Sequence, residues 1–212
     1  MQRENDYYFS KKYNSVNRFS SLHLQINLLF DLLKNNDDSI LEIGVGNRVF
    51  SNFFQEKGLD VKTIDCNPGL KSDIVGDIRK YDFGCYKFDI VVAYEVLEHM
   101  DFNDALDVLK RLKVISSRYV VISVPYSLNF IELIFNVKIP DSIRKIITLP
   151  ILRIPTIRKH KYSRERDHFW ELGKRGYGVR LFKDKLREIG YTIVREEQPM
   201  LNKYHYFFIL QV

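Results

Sequence analysis

Apolar residues recur along this chain in two alternating rhythms. Short runs at residues 40–43 and 61–64 have the length of strands, and the run at 88–93 is unbroken enough to be buried on both faces of a sheet. Between them Leu22, Ile26, Leu29, Phe30 and Leu33 recur at helical spacing and predict a helix over 20–34. Val49, Phe50, Phe53 and Phe54 predict a second helix over 47–57, ended by Gly58. Ala105, Leu106, Leu109 and Leu112 predict a third over 101–113. A weak strand falls at 73–75 and a fifth at 119–124, stopped by Pro125. A helix over 179–189, ended by Gly190, precedes two alternating segments, 191–195 and 204–210, whose loop length suits an antiparallel pair.

Strands alternating with helices at this pitch predict an α/β chain. The expected architecture is a doubly wound, mostly parallel seven-stranded Rossmann-like sheet with its last strand antiparallel. The rhythm lapses over residues 126–177, where Pro140, Pro150 and Pro155 punctuate short apolar pieces. This stretch is read as an insertion or lid after strand 5. Residues 1–37 are read as an N-terminal arm and helix, and 1–212 as one domain.

Charge changes this picture in one place. Residues 129–180 hold 12 Lys/Arg against 5 Asp/Glu, which accounts for the whole net charge of +6. A basic, partly apolar insertion suits an anionic acceptor or a membrane surface met through 129–160. Aromatic interleaving there is sparse and no RNA-binding motif is present, so nucleic acid is not expected. The two cysteines, Cys66 and Cys85, have no CxxC spacing or histidine cluster beside them. Neither a disulfide framework nor a metal site is expected, and a reducing cytoplasmic setting fits. No run approaches the roughly 20 apolar residues of a membrane span, and the polar start does not read as a signal peptide.

The chemistry lies at the ends of the strands. Glu42-Ile43-Gly44-Val45-Gly46-Asn47 makes a strand-to-helix turn whose glycines admit a ligand close to the backbone. Asp65 ends the next strand, 23 residues after Glu42, where an acidic group meets ribose hydroxyls in dinucleotide-binding folds. The dinucleotide fingerprint would place glycine at position 49, where this chain has Val49, which argues against NAD or FAD. Acidic residues at 42, 65 and 77 would line a pyrophosphate poorly but suit a cationic ligand without phosphates.

The series resembles the class I S-adenosylmethionine-dependent methyltransferases, in particular those with a V-L-E-H signature after the fourth strand. Here that segment reads Ala93-Tyr94-Glu95-Val96-Leu97-Glu98-His99. The resemblance covers residues 40–124 well, and Arg48 replaces the third glycine of the first motif. It implies S-adenosylmethionine as cofactor and a role for each matching position. Glu42 would face the methionine ammonium; Gly44, Gly46 and Asn47 would line the methionine and ribose side. Asp65, with Cys66 beside it, would hold the ribose hydroxyls. Asp77 and Ile78 would meet the adenine, and the strand end at Ala93 and Tyr94 would accept from the ammonium.

Candidates for the acceptor side lie past the fifth strand: Tyr126, His160, His168, Trp170, Glu171 and Tyr177. His168 is the candidate general base or acceptor ligand; the plain alternative is that His168 and Trp170 anchor the insertion on the sheet. The reading is in-line methyl transfer to a small-molecule acceptor or one linked to a lipid or saccharide. The competing reading is a non-catalytic S-adenosylmethionine-binding or RNA/partner-binding module on the same fold. The residues do not specify the acceptor atom or the oligomeric state.

Overall fold

Seven strands pair into one sheet in the computed structural model, which describes residues 5–127, 130–137, 147–155 and 167–212. β1 (Ser39–Ile43), β2 (Asp60–Asp65), β3 (Ile74–Val75), β4 (Phe88–Tyr94) and β5 (Ser116–Pro125) run parallel. The final strand, β9 (His205–Gln211), lies antiparallel between β5 and β8 (Thr192–Glu197). The spatial order is β3-β2-β1-β4-β5-β9-β8. The Rossmann-like, mostly parallel sheet with an antiparallel last strand is therefore the fold. From β1 the chain builds outward through β2 and β3, then returns to add β4 and β5 on the other side. The strand order reverses between β1 and β4, and in open α/β sheets a ligand crevice forms beyond the strand ends at that point.

Both faces of the sheet are covered, which explains why β4 reads as a continuous apolar run. Ile90, Val91, Val92 and Ala93 are all fully buried. On one face Ile40, Ile90 and Val92 pack with Leu28 and Leu29 of α2 (Val16–Leu32) and with Phe50 and Phe54 of α3 (Val49–Glu56). On the other, Leu41, Val91 and Ala93 pack with Leu109 and Leu112 of α4 (Phe102–Ile115) and with Phe182 and Leu186 of α5 (Val179–Glu188). Each such buried side chain contributes about 1.5–3 kcal/mol through its removal from water.

Three boundaries differ from the sequence expectation. Helix α2 begins at Val16 instead of position 20, because the Ser15 hydroxyl caps it by accepting from the Arg18 amide at 3.4 Å. That extra turn places Arg18 near the strand ends. The N-terminal arm, for which no element was predicted ahead of position 20, contains the short helix α1 (Asn5–Phe9), and Tyr7, Tyr8 and Tyr13 pack edge to face with centroids 5.2–5.6 Å apart. The insertion contains β6 (Phe130–Val137) and β7 (Ile147–Pro155), an antiparallel pair separate from the main sheet. Its prolines hid the strands from the sequence reading. Pro150 pairs with Ile134 next to a register irregularity, a place where the ladder tolerates a missing N–H. His160 lies outside the described residues, as do the side chains that would carry membrane contact through 129–160.

Candidate functional site

The glycine turn after β1 is built for close approach. Gly44 has φ +77°, and a Cβ added there would lie 2.5 Å from Val96 Cγ2. Gly46 has φ +51°, and a Cβ there would lie 2.7 Å from the Tyr13 hydroxyl. The arm is further tied to this turn by Asn47, whose side-chain amide donates to Asn14 Oδ1 at 2.8 Å. Position 48, where the motif ordinarily has glycine, holds the left-handed conformation with arginine in it (φ 62°, ψ 9°). Left-handed backbone costs a residue with a Cβ roughly 1–2 kcal/mol. Arginine thus occupies a backbone conformation that glycine would adopt freely.

Glu42, Gly44, Gly46, Asn47 and Tyr94 line one cleft, together with Tyr13, Asn14, Arg18 and Phe50. Glu42 is buried, and its Oε2 has no hydrogen-bond partner among the described residues; the Tyr94 hydroxyl is in the same condition. Burial pushes the Glu42 carboxyl up to about 8, against the lowering effect of the Ser51 hydroxyl and the Arg48 charge. Across the cleft Arg18 is held by two bonds, donating to the Tyr13 hydroxyl at 2.6 Å and to His205 Nε2 at 3.4 Å. A buried acid with an unpartnered oxygen and a fixed guanidinium thus face the same space.

The remaining predicted cofactor residues do not line that cleft. Asp65 accepts from the Val45 amide at 3.0 Å and the Asn67 amide at 2.8 Å, so its carboxylate ties the first two strand-end loops together. Cys66 beside it is exposed. Asp77 forms a two-pronged pair with Arg79, at 2.6–3.0 Å, on its own loop. Ile78 is buried in the core, as is the Ala93 side chain. Asp65, Cys66 and Asp77 nonetheless lie along one edge, since the Gly76 amide donates to the Asp65 carbonyl at 2.9 Å.

A second polar cluster sits beyond β4 and β5. Glu95 has φ 56°, an uncommon backbone for this residue. Its carboxylate accepts from Ser123 Oγ at 2.9 Å and lies 3.5 Å from His205 Nε2. Burial raises Glu95 to about 7, against the opposing Arg18 charge. Glu98 is fully buried, with neither carboxylate oxygen hydrogen-bonded among the described residues. Burial and the neighbouring Glu95 hold its carboxyl well above the usual range.

The segment after the insertion closes this cluster. The Phe169 amide donates to the Glu98 carbonyl at 2.8 Å, and Trp170 Nε1 donates to the Leu97 carbonyl at 3.2 Å. Trp170 is fully buried against Phe102 and Phe182, which makes it an anchor. His168 is buried, and its Nδ1–H donates to Glu171 Oε1 at 2.9 Å. Glu171 also accepts from Tyr204 at 2.9 Å, from Ser127, and from Lys174 at 2.9 Å. Burial alone would raise Glu171, but these donors outweigh it and hold the carboxyl at about 2. Tyr126 joins the segment by a bridge to Leu172, and Tyr177 packs on Phe102 and Trp170.

Sequence reasoning missed Arg18, Tyr13, Glu95 and His205. Ser15 ahead of the periodic run was the signal for Arg18, since it marks a helix start that puts position 18 in the first turn. Nothing in the spacing links Glu95 to His205, which come from strands distant in sequence.

Comparison with known proteins agrees with this geometry. A family model described as a methyltransferase domain matches residues 15–181. No curated protein matches the sequence. Among solved structures, magnesium protoporphyrin IX methyltransferase from Synechocystis PCC 6803, with S-adenosylmethionine bound, is similar at 15% identity and a TM-score of 0.56; the match covers 92% of this chain and 79% of that one. The PH0226 protein from Pyrococcus horikoshii OT3 is similar over 99% of both chains, at 17% identity and a TM-score of 0.60. A Burkholderia thailandensis 1,6-didemethyltoxoflavin-N1-methyltransferase, with 1,6-didemethyltoxoflavin and S-adenosylhomocysteine bound, matches at 13% identity and a TM-score of 0.55, over 92% of this chain and 77% of that one. With the family match spanning most of the chain, this protein belongs to the methyltransferase domain family and is a class I, S-adenosylmethionine-dependent methyltransferase.

Proposed function

We propose that the cleft between β1 and β4 holds the amino-acid end of S-adenosylmethionine, with its ammonium at Glu42 and its carboxylate at Arg18. The observation that carries this is the buried Glu42 oxygen without a partner among the described residues, facing the same space as a fixed Arg18 guanidinium. A zwitterionic α-amino acid supplies the missing charge at each pole. The glycine turn and Asn47 would then flank the methionine and ribose. Asp65, with Cys66, would meet the ribose hydroxyls; Asp77 and Ile78 would flank the adenine; the strand end at Ala93 and Tyr94 would accept from the ammonium. The paired Arg79 must release or share Asp77 for that contact.

The acceptor would enter from the side of Glu95, Glu98 and His168. Methyl transfer from a sulfonium is an in-line displacement, and alignment of well-placed reactants supplies about 7 kcal/mol or more of the barrier reduction. The cluster is lined by carboxylates and imidazoles, which suits a small acceptor, free or joined to a lipid or saccharide, that presents a hydroxyl or amine. His168, oriented by Glu171, is the group proposed to act on that acceptor. Calorimetric titration with S-adenosylmethionine, S-adenosylhomocysteine and NAD tests the cofactor assignment, and binding of NAD alone would overturn it. A screen of acceptors with labelled methyl donor separates an enzyme from a binding module. His168→Ala with full turnover on the acceptor so found would remove the role given to that residue.

A further inference from the structure

We propose that Glu98, His99 and His168 form a binding site for one divalent transition-metal ion. Glu98 Oε1 lies 4.0 Å from His99 Nε2 and 4.0 Å from His168 Nε2, and one ligand atom from each residue falls within 4.8 Å of the others. The two rings meet edge to face with centroids 5.0 Å apart. Nothing in the sequence reading anticipated this, because His168 returns from the far side of the insertion, 69 residues after His99.

The carboxylate is the deciding group. Glu98 is fully buried and both of its oxygens lack a hydrogen-bond partner among the described residues. A buried carboxylate in that state is costly unless a cation or proton meets it. A separation of 4.0 Å is too long for a hydrogen bond to either imidazole. It is close to the spacing of two ligands on a common ion, about 3.4 Å for tetrahedral bonds of about 2.1 Å. Side-chain rotations of well under an ångström would close the difference.

The surroundings fix the imidazoles for this role. His99 Nδ1–H donates to the Asp167 carbonyl at 3.1 Å, and His168 Nδ1–H donates to Glu171 Oε1 at 2.9 Å. In both rings Nδ1 is thus committed to an oxygen acceptor, and Nε2 of each lies 4.0 Å from Glu98 Oε1. Metal-bound histidines carry this same outer hydrogen bond to a carbonyl or carboxylate, which sets the tautomer and orients the ring. The His99 side chain is 38% exposed, which gives an ion access to an otherwise buried site. Two imidazoles and a carboxylate suit Zn²⁺, Mn²⁺ or Fe²⁺ better than Ca²⁺. An ion here would be placed to bind an acceptor oxygen, and His168 would then act on the acceptor as a ligand of that ion and not as a base; that consequence rests on the methyl-transfer reading above, whereas the site itself does not.

The test uses the full chain without a tag, stripped with chelator and dialysed, and titrated with Zn²⁺ by calorimetry and Mn²⁺ by electron paramagnetic resonance. One saturable equivalent is expected. Glu98→Gln, His99→Ala and His168→Ala should each weaken it by at least about 10- to 100-fold. S-adenosylmethionine affinity, measured on the same samples, should stay within about threefold. Because His99 is half-exposed, His99→Ala keeps its fold and its result stands even if the buried variants unfold in a melting check. Absence of saturable binding, or equal binding by wild type and His99→Ala, overturns the site. Metal binding without S-adenosylmethionine binding would leave the site standing and overturn the cofactor assignment instead.

Discussion

Replacing Glu42 by glutamine isolates the interaction on which the cofactor assignment depends. In the empty protein burial holds this carboxyl at about 8, so at pH 7 about nine molecules in ten carry the proton, from the ordinary titration relation. The groups acting on it are Ser51 and Arg48, which favour the anion, and Asp65, which opposes it. An ammonium brought within hydrogen-bond distance favours the carboxylate strongly. Binding at pH 7 must therefore expel about 0.9 proton from Glu42. The ligand's own α-amino group, with a pKa of about 7.8, takes up about 0.1 proton as it binds in the ammonium form. The net is release of about 0.8 proton per ligand at pH 7, against uptake of about 0.1 in Glu42→Gln. At pH 9 the two proteins should differ by only about 0.1 proton, because Glu42 is then already ionised.

The same reasoning fixes the affinities. A buried charge-assisted hydrogen bond contributes about 1.5–3 kcal/mol, which corresponds to about 10- to 150-fold in Kd. At pH 7 the wild type spends about 1.4 kcal/mol of this in deprotonating Glu42, so Glu42→Gln should lose at most about 15-fold there. At pH 9 the full loss should be seen. Calorimetry in buffers of contrasting ionisation enthalpy gives proton count and Kd from one set of titrations. Equal proton release by both proteins at pH 7, or equal affinity at pH 9, would refute the placement of the ammonium at Glu42.

Four further outcomes follow from the same structure. Glu42 is an acid whose folded pKa lies above its unfolded value, so the stability it contributes is complete below about pH 4.5 and is lost as pH rises toward about 8. Without ligand, Glu42→Gln should accordingly gain on wild type by an amount on the order of 5 kcal/mol between those limits, measured by urea unfolding; a constant difference would contradict the burial argument. Gly44→Ala must place a Cβ 2.5 Å from Val96 Cγ2 at φ +77°, and should lower S-adenosylmethionine affinity at least tenfold with a cost of about 1–2 kcal/mol in stability. Arg48→Gly relieves the left-handed backbone and should raise the urea midpoint by the equivalent of about 1 kcal/mol, while the Glu42 pKa rises further as a favourable charge is removed. Trp170→Ala should cost about 3–5 kcal/mol, read as a fall in the thermal midpoint, since it deletes a fully buried ring and the bond to the Leu97 carbonyl.

The parts of this molecule that were legible in its sequence are those governed by local rules. An unbroken apolar run reports a strand covered on both faces, and 88–93 proved to be β4 at the centre of the sheet. Glycines at 44 and 46 report backbone conformations that a Cβ would strain. Position 48 shows the limit of that rule: arginine there holds a left-handed conformation of the kind glycine adopts freely, so the missing glycine did not mark a different backbone region. The start of α2 was misplaced because a capping side chain, not the apolar period, decides it, and the cost was missing Arg18. The insertion failed for a different reason, since its strands pair with each other and carry prolines in the ladder, leaving neither a clean period nor clean punctuation. The polar cluster was illegible in principle. Glu98 and His168 meet only because Trp170 packs under the Leu97–His99 turn and the Phe169 amide binds the Glu98 carbonyl. Such a site is specified by long-range packing of an aromatic anchor, and residue types 70 positions apart carry no sign of it until the sheet has brought them together. The anchoring role of Trp170 and the chemical role proposed for His168, which looked like competing readings of one short segment, are therefore compatible: the indole fixes the backbone that carries the imidazole.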